Sequence, residues 1–385
     1  MGMKIGLLGF ELESPNKGCE ALSYAFIDFL QANRKEGNLT IYVLDSECCG
    51  EFPKYFPDID FIPVPLRIKE PRLRWIRAIA KCDFVFDITM GDSFSDIYSK
   101  EYCMGLIKRK WAAELLNRRY ILMPQTYGPF VDDVIRKRAI QIITKAYKVF
   151  SRDKVSIEYL RKLGVKKDIT ECIDLAFMLP YDKTRYTVDR ARKNLGINIS
   201  GLLWKGGFNS DDQFGLTINY RKYIRTIIET YVDCTEWNVH LIPHVIDLNP
   251  KAHDDDYLTL KALHAEFPKT LLSPIFTNPI DAKSYIANMD CFIGARMHSA
   301  IAAFSSGVAA IPVTYSRKFE GLFNTLNYPY LIHGKEYDTD LAIKKTVEYV
   351  NNYQLLYGKI QETEFLIEEK VKQLKKRLKY IIDGV

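Results

Sequence analysis

The stretch from Asp290 to Lys318 combines two short apolar runs with turns that carry cationic or titratable side chains. The runs, Cys291–Ile293 and Val308–Val313, are typical of buried parallel strands. Four side chains that suit an anion follow them: Arg296, His298, Arg317 and Lys318. Because parallel strands place such turns at one edge of the sheet, beside helix N-termini, the pattern predicts a site for a compact polyanion. His298 stands where it could move a proton.

Polar residues also follow other predicted strands, where α/β proteins place their ligands. They are Asn16 and Gly18 before the first helix, Asp92, Ser93 and Asp96, Gln125 and Tyr127, Arg152, Lys205 and His244. Asp92 or Asp96 is a candidate base for hydroxyl protons, and Gln125 and Tyr127 could contact a sugar. Arg152 at the start of a helix suits an anion.

Each of these assignments has a structural alternative. Asn16 and Gly18 could form a helix cap and a tight turn. The segment from Asp92 to Asp96 could cap a helix, Arg152 could pair with Asp153 at the surface, and a lone histidine such as His244 is more often structural. His298 is a stronger candidate for a functional histidine, because Arg296 lies at the same turn.

The sequence gives little support for a metal or a cofactor. The run His253–Asp256 precedes a helix and is typical of a solvated helix start. The eight cysteines include no Cys-x-x-Cys pair, and no P-loop pattern is present. We therefore expect neither a metal nor a redox cofactor.

The composition describes an ordinary globular protein, with 47% hydrophobic and 26% charged residues over 385 positions. The net charge of +6 suits an anionic substrate or a membrane surface, whereas a nucleic-acid binder would be more basic. No apolar run reaches the roughly 20 residues of a membrane span. The first residues resemble a strand rather than a signal peptide, and the scattered cysteines suit a reducing compartment, so a cytoplasmic location is expected.

Strand-like and helix-like segments alternate along the chain, which predicts an α/β fold with doubly wound parallel sheets. The predicted strands are Lys4–Phe10, Leu39–Leu44, Asp83–Thr89, Tyr120–Pro124, Lys148–Phe150, Gly201–Trp204, Val239–Pro243, Thr270–Leu272, Cys291–Ile293 and Val308–Val313. We expect Rossmann-like domains over residues 1–182 and 190–335 and a long helical segment over residues 338–385. Two such domains facing each other across a cleft form the arrangement known as GT-B.

Six segments, in this order, together resemble the polysaccharide pyruvyl transferase family: Asn16–Ala21, Gly91–Asp96, Gln125–Phe130, Ser151–Asp153, Ile242–His244 and Gly294–Ile301. The Arg-Met-His turn at 296–298 is the most specific piece. The resemblance implies a GT-B-like enzyme that transfers the enolpyruvyl group of phosphoenolpyruvate onto two hydroxyls of a sugar. The product would be a cyclic pyruvate ketal, with release of phosphate. The family's glycine run after the third strand is replaced here by Gly-Asp-Ser-Phe-Ser-Asp.

The resemblance also implies which candidate residues bind the donor and which bind the acceptor. Arg296 and His298 would hold the donor, with Arg152 reaching from the first domain. Further donor-binding candidates are Arg317, Lys318, His244 and Lys205, and the acceptor-binding candidates are Asn16, Gly18, Gln125, Tyr127 and Ser93. His298 is the candidate acid, and Asp92 or Asp96 is the candidate base. Phosphoenolpyruvate would be a co-substrate, with no other cofactor.

Two other functions stay open. A nucleotide-sugar glycosyltransferase of the same GT-B shape is the main alternative, with Glu320 as a candidate to hold a ribose. A non-catalytic sugar-binding protein is disfavoured by the titratable groups at the strand ends.

Two basic stretches surround tryptophans: Arg67–Lys81 around Trp75 and Lys108–Arg119 around Trp111. Such stretches suit an anionic membrane surface, although a solvated helix face is the ordinary alternative. Sugars of a bacterial surface polymer are built on a polyprenyl-diphosphate carrier, and the resemblance implies such an acceptor. The hypothesis is therefore peripheral, salt-sensitive membrane association through the first domain. The oligomeric state is left open.

Overall fold

The computed structural model describes residues 2–34, 37–66, 73–97, 99–207 and 212–384, without the side chains of residues 317 and 318. Contacts within the chain divide it into two compact units. The first unit comprises Met1–Ser14, Leu22–Met178 and Glu368–Val385, and the second comprises Pro15–Ala21 and Leu179–Ile367.

The first unit is built on a parallel sheet of seven strands. These are β1 (Met3–Leu8), β2 (Leu39–Leu44), β3 (Ile59–Val64), β4 (Phe84–Asp87), β5 (Tyr120–Gln125), β6 (Lys148–Ser151) and β7 (Thr170–Glu171), in the spatial order β3-β2-β1-β4-β5-β6-β7. The helices that follow these strands are α1 (Lys17–Ala32), α2 (Phe52–Tyr55), α3 (Leu73–Lys81), α4 (Lys100–Leu116), α5 (Asp133–Lys145) and α6 (Lys154–Lys162). The strand order reverses between β1 and β4, where α/β proteins bind ligands.

The second unit repeats this plan with six parallel strands. These are β8 (Lys193–Asn198), β9 (Trp237–Leu241), β10 (Leu271–Leu272), β11 (Cys291–Gly294), β12 (Ala309–Thr314) and β13 (Ile332–His333), in the order β10-β9-β8-β11-β12-β13. Its helices are α7 (Gly201–Trp204), α8 (Tyr220–Val232), α9 (Asp256–Glu266), α10 (Pro279–Ile286), α11 (Met297–Phe304), α12 (Arg317–Thr325) and α13 (Thr339–Asn351). The last helix, α14 (Tyr353–Asp383), begins in this unit and belongs to the first unit from Glu368 onward. The strand order reverses between β8 and β11.

The predicted fold class is confirmed, with two parallel sheets of Rossmann-like order and a long C-terminal helix. One predicted strand is wrong, because Gly201–Trp204 forms the short helix α7. The Ser200 hydroxyl caps this helix by accepting a hydrogen bond from the Leu203 N–H at 3.3 Å. Strands β3, β7, β8 and β13 were not predicted. Strand β3 lies at the sheet edge, where Pro63 is tolerated because no partner strand needs its missing N–H.

A buried ionic cluster lies at the end of β4. The Lys110 amine donates to both carboxylate oxygens of Asp87, at 2.7 and 2.9 Å, and the hydroxyls of Thr89 and Tyr120 also donate to this carboxylate. Burial lowers the pKa of Lys110, and the Asp87 charge opposes that shift. Thr89 and Met90 adopt positive φ angles of 47° and 52°, a conformation that costs about 1–3 kcal/mol for each such residue. The cluster therefore fixes a strained turn directly after β4.

We predict that Lys110→Met destabilises the protein by about 3–5 kcal/mol, because it leaves the Asp87 carboxylate buried without its cation. Lys108→Met is the matched control, since Lys108 lies on the exposed face of the same helix and should change stability by less than about 0.5 kcal/mol. Urea unfolding followed by circular dichroism measures both variants. Equal midpoints for the two variants would show that the ion pair contributes little.

Candidate functional site

In the second unit, Arg296 is held in place by two aspartates. Its Nη2 donates to Asp256 Oδ1 at 2.7 Å and to Asp254, and its Nε lies 3.2 and 3.3 Å from the two Asp256 oxygens. Arg296 is the residue that precedes α11, and its backbone N–H donates to Asn198 Oδ1 at 3.0 Å. Burial alone would lower the pKa of Arg296, but Asp256 and then Asp254 raise it, so the guanidinium stays charged.

The Asp256 carboxylate also binds the backbone around it. It accepts the N–H groups of Gly201 at 2.8 Å, His244 at 3.1 Å and Val245 at 2.9 Å. Asp255 caps α9 by accepting the Leu258 N–H at 2.6 Å. The interpretation of His253–Asp256 as a solvated helix start is therefore wrong, because Asp255 and Asp256 are fully buried. Asp254 and Asp256 offset part of the positive charge predicted at this edge.

His298 lies in the first turn of α11 and packs against the start of α1. A Cβ atom added to Gly18 would lie 2.4 Å from His298 Nδ1 and 2.8 Å from its Cβ, so only glycine leaves room for this ring. The Asn16 side chain accepts the Gly18 N–H at 2.9 Å, and Asn16 forms an antiparallel bridge with Val245. The structure therefore shows the helix cap at Asn16 and gives Gly18 a packing function beside His298.

His244 follows β9 and is buried. Among the described residues, neither of its ring nitrogens has a hydrogen-bond partner. Burial, followed by the charges of His298, Arg296 and Lys17, lowers the pKa of His244 well below its ordinary value. His244 is therefore neutral, and the two unpaired polar atoms of its buried ring make it a candidate to contact a bound molecule.

Three further parts of the second unit differ from the sequence interpretation. Lys17 and Glu20 form a buried ion pair of 2.7 Å that was not predicted. Lys205 does not follow a strand, but ends α7 and donates from Nζ to the Ala252 carbonyl at 2.6 Å. The backbones of Arg317 and Lys318 begin α12 after β12, as predicted, while their side chains lie outside the described part.

In the first unit, Arg152 follows β6 and is buried. Its Nη1 donates to Asp174 Oδ2 at 2.7 Å, and its Nε donates to the Thr126 hydroxyl at 3.0 Å. Within the described residues its Nη2 has no partner. Burial would lower the pKa of Arg152, but Asp174, Asp92 and Asp153 raise it in that order. The alternative of a surface pair with Asp153 is wrong, because Arg152 is buried and pairs with Asp174.

The two candidate bases have different environments. Gly91 packs against Arg152, since a Cβ atom there would lie 2.9 Å from Nη1, and Asp92 follows directly. Asp92 and Ser93 are half-buried. Both carboxylate oxygens of Asp96, by contrast, accept backbone N–H groups of residues 131 and 132 at 2.7–2.9 Å. Asp96 therefore holds a loop, whereas Asp92 lies near enough to Arg152 to raise the pKa of that guanidinium and is the candidate kept for chemistry.

Gln125 and Tyr127, which were predicted to contact a sugar, are both buried. Gln125 donates from Nε2 to the Asp87 carbonyl at 3.0 Å, and the Tyr127 hydroxyl donates to the Phe150 carbonyl at 2.8 Å. These hydrogen bonds link neighbouring parts of the sheet. Both side chains therefore support the edge at which Asp92 and Arg152 lie.

The geometry does not suggest a metal centre in the described ranges, where no group of three or more His, Cys, Asp or Glu side chains could hold an ion. The expectation that the protein needs no metal stays a prediction.

The two parallel sheets and the long C-terminal helix define a GT-B-like α/β protein. Solved structures share this fold, among them three with TM-scores of 0.55–0.60. Anabaena Alr3699/HepE, solved with UDP-glucose, has a TM-score of 0.60 at 12% identity, with all of both chains covered. Sucrose-phosphate synthase of Thermosynechococcus elongatus has a TM-score of 0.56 at 11% identity, also over all of both chains. UDP-GlcNAc 2-epimerase of Neisseria meningitidis, bound to UDP-GlcNAc, has a TM-score of 0.55 at 13% identity, over 97% of this chain and 100% of its own.

The family match identifies the protein more specifically than the fold does. The chain belongs to the polysaccharide pyruvyl transferase family, whose model matches residues 16–317. The matched span includes the Gly18–His298 contact, the Arg296–Asp256 pair and the turn that carries Asp92. No curated protein matches the chain.

We predict that His298→Ala lowers the transfer rate by about 100- to 10,000-fold, the usual loss when a positioned acid is removed. His264→Ala is the control, because His264 lies in α9 and its ring nitrogen Nδ1 is bonded to the Thr270 hydroxyl at 3.0 Å. Initial rates at saturating substrates measure both variants. If the His298 variant kept a transfer rate within a few-fold of the parent protein's rate, the catalytic assignment of His298 would be wrong.

We predict that Gly18→Ala also lowers activity, because its new methyl group would displace the His298 ring. The loss should be at least about 100-fold if a displacement near 1 Å is as costly as in other enzymes. Gly105→Ala is the control, since the atom nearest to a Cβ there is the end of an arginine side chain at 3.8 Å. Full activity in Gly18→Ala, with unchanged melting temperature, would contradict the proposed function of the contact.

Proposed function

We propose that this transferase moves the enolpyruvyl group of phosphoenolpyruvate onto two hydroxyls of a sugar and forms a cyclic pyruvate ketal. The observation that carries the proposal is His298, which lies in the first turn of α11 beside the fixed Arg296 within the span that matches the family.

Phosphoenolpyruvate is a compact donor with a carboxylate and a phosphate. Such groups are bound by charge-assisted hydrogen bonds and by backbone N–H groups at helix starts. In this proposal the start of α11, with Arg296 and His298, holds the donor. Arg152, Lys205, Arg317 and Lys318 are further donor-binding candidates, and His244 supplies a neutral hydrogen-bonding ring.

The reaction needs one acid and one base. An acid protonates the methylene carbon of the donor, and the adjacent carbon becomes electrophilic and is attacked by the first sugar hydroxyl. The bond to phosphate then breaks, and the second hydroxyl closes the ring. One hydroxyl proton replaces the proton given to carbon, and the other leaves with phosphate. We assign the acid to His298 and the base to Asp92.

The acceptor is proposed from the family, which acts in polysaccharide synthesis. We propose a sugar of a surface polysaccharide, carried on polyprenyl diphosphate, with Asn16, Gly18 and Ser93 near it. Gln125 and Tyr127 are left out of this set because their side chains donate to backbone carbonyls within the first sheet.

A nucleotide-sugar glycosyltransferase remains the alternative, supported by the fold alone. Its candidate ribose-binding residue, Glu320, accepts the Thr314 hydroxyl at 3.0 Å and lies 3.3 Å from His333 Nδ1. One carboxylate oxygen is therefore already engaged. The family match favours pyruvyl transfer.

We predict that phosphoenolpyruvate stabilises the protein in the presence of a chelator. At a concentration 100 times the dissociation constant it should add about 2.7 kcal/mol to the free energy of unfolding. Thermal shift measures this against uridine and guanosine diphosphate sugars. A shift with a nucleotide sugar, beside none with phosphoenolpyruvate, would favour the glycosyltransferase.

A further inference from the structure

The structure changes the composition of the basic surface that the sequence suggested. Trp75 is buried, and its indole N–H donates to Asp45 Oδ1 at 2.8 Å. Lys110 is buried in its ion pair with Asp87. Both residues therefore belong to the core of the first unit. Of the remaining cations in this stretch, Arg67, Lys69 and Arg72 lie outside the described residues.

The outer surfaces of α3 and α4 carry large exposed apolar side chains in addition to cations. Each is more than one third exposed: Leu73 (56%), Ile76 (37%), Trp111 (46%) and Leu115 (63%). Exposed cations lie on the same two helices: Arg74, Arg77, Lys81 and Lys108. These eight residues are called the α3–α4 face below.

The two helices are held together by one carboxylate. Asp45 follows β2 and accepts the Trp75 indole N–H through Oδ1 and Arg109 Nη1 through Oδ2, at 3.1 Å. Trp75 belongs to α3 and Arg109 to α4, so this half-buried contact fixes the two helices as neighbours. The exposed apolar side chains are therefore presented from a rigid support.

The charge on this face has one sign over α3. The sequence from Leu73 to Lys81 carries three cations and no acid. Within the described residues, the Arg74 guanidinium donates one hydrogen bond, to the Pro63 carbonyl at 3.3 Å. On α4 the acids are Glu101 in the first turn and Glu114. Apolar side chains with flanking arginine and lysine are the combination that places a helix in the boundary between lipid headgroups and acyl chains.

We propose that the α3–α4 face binds an anionic lipid bilayer. The cations meet the headgroups, and the apolar side chains enter the boundary layer. This inference concerns where the protein works and does not depend on the proposed transfer chemistry, so either can fail without the other. Over the described part of the chain, no helix combines the length and apolar character needed to span a membrane.

Sedimentation with phosphatidylglycerol–phosphatidylcholine vesicles tests the electrostatic part. The protein should sediment at low salt and stay in solution at high salt, where the screening length falls to about 3 Å. Changing Arg74→Glu and Arg77→Glu together should weaken binding at least about 25-fold, since each cation contributes about five-fold.

The C-terminal helix supplies a matched control. Lys372 and Lys376 are exposed on α14 in the same unit, and changing Lys372→Glu and Lys376→Glu alters the net charge by the same amount. This variant should keep at least half of the binding. A protein that stays in the supernatant at low salt, or equal losses in the two double variants, would overturn the proposal.

Trp111 tests the apolar part. Its fluorescence should shift to shorter wavelength with vesicles, and the shift should disappear in Trp111→Phe while Trp75 still emits from the core. Leu115→Ser should lower vesicle affinity without changing the circular dichroism melting curve. No shift in the parent protein, or unchanged affinity in Leu115→Ser, would overturn insertion at this face.

Discussion

The buried pair between Arg296 and Asp256 organises the candidate site of the second unit. One carboxylate receives the guanidinium and the backbone N–H groups of Gly201, His244 and Val245. It therefore links the loops that follow β8 and β9 to the turn that follows β11. Removing one partner of such a pair leaves an unpaired buried charge, which is far more costly than replacing the whole pair. The main effect of the pair is therefore to position the Arg296 side chain and the surrounding loops, rather than to add net stability.

The contact between Gly18 and His298 depends on this arrangement. The His298 ring is placed by the first turn of α11, which begins directly after Arg296. The start of α1 closes against it through the Lys17 N–H, which donates to the His244 carbonyl at 2.9 Å. Residues 280 positions apart in sequence therefore share one small volume, and the absence of a side chain at Gly18 is the condition for their approach.

Much of the fold could be predicted from sequence, because buried parallel strands are short apolar runs that alternate with helices. The turn carrying Arg296 and His298 was found for the same reason. What failed were assignments that depend on partners distant in sequence. Lys110 looked like a surface cation because nothing local shows its ion pair with Asp87, 23 positions earlier. Trp75 was misplaced although Ala78 and Ile79, three and four residues later, mark a buried helix face.

Arg152 in the first unit and Arg296 in the second have similar environments. Each follows a parallel strand, each is buried, and each is fixed by an aspartate, Asp174 for one and Asp256 for the other. A guanidinium that is already ordered loses little conformational freedom when it meets an anion. The same aspartates offset part of the positive charge at both positions. Under the proposed function, recognition of phosphoenolpyruvate would then rest on fixed hydrogen-bond geometry, which favours a small rigid anion over a flexible or larger one.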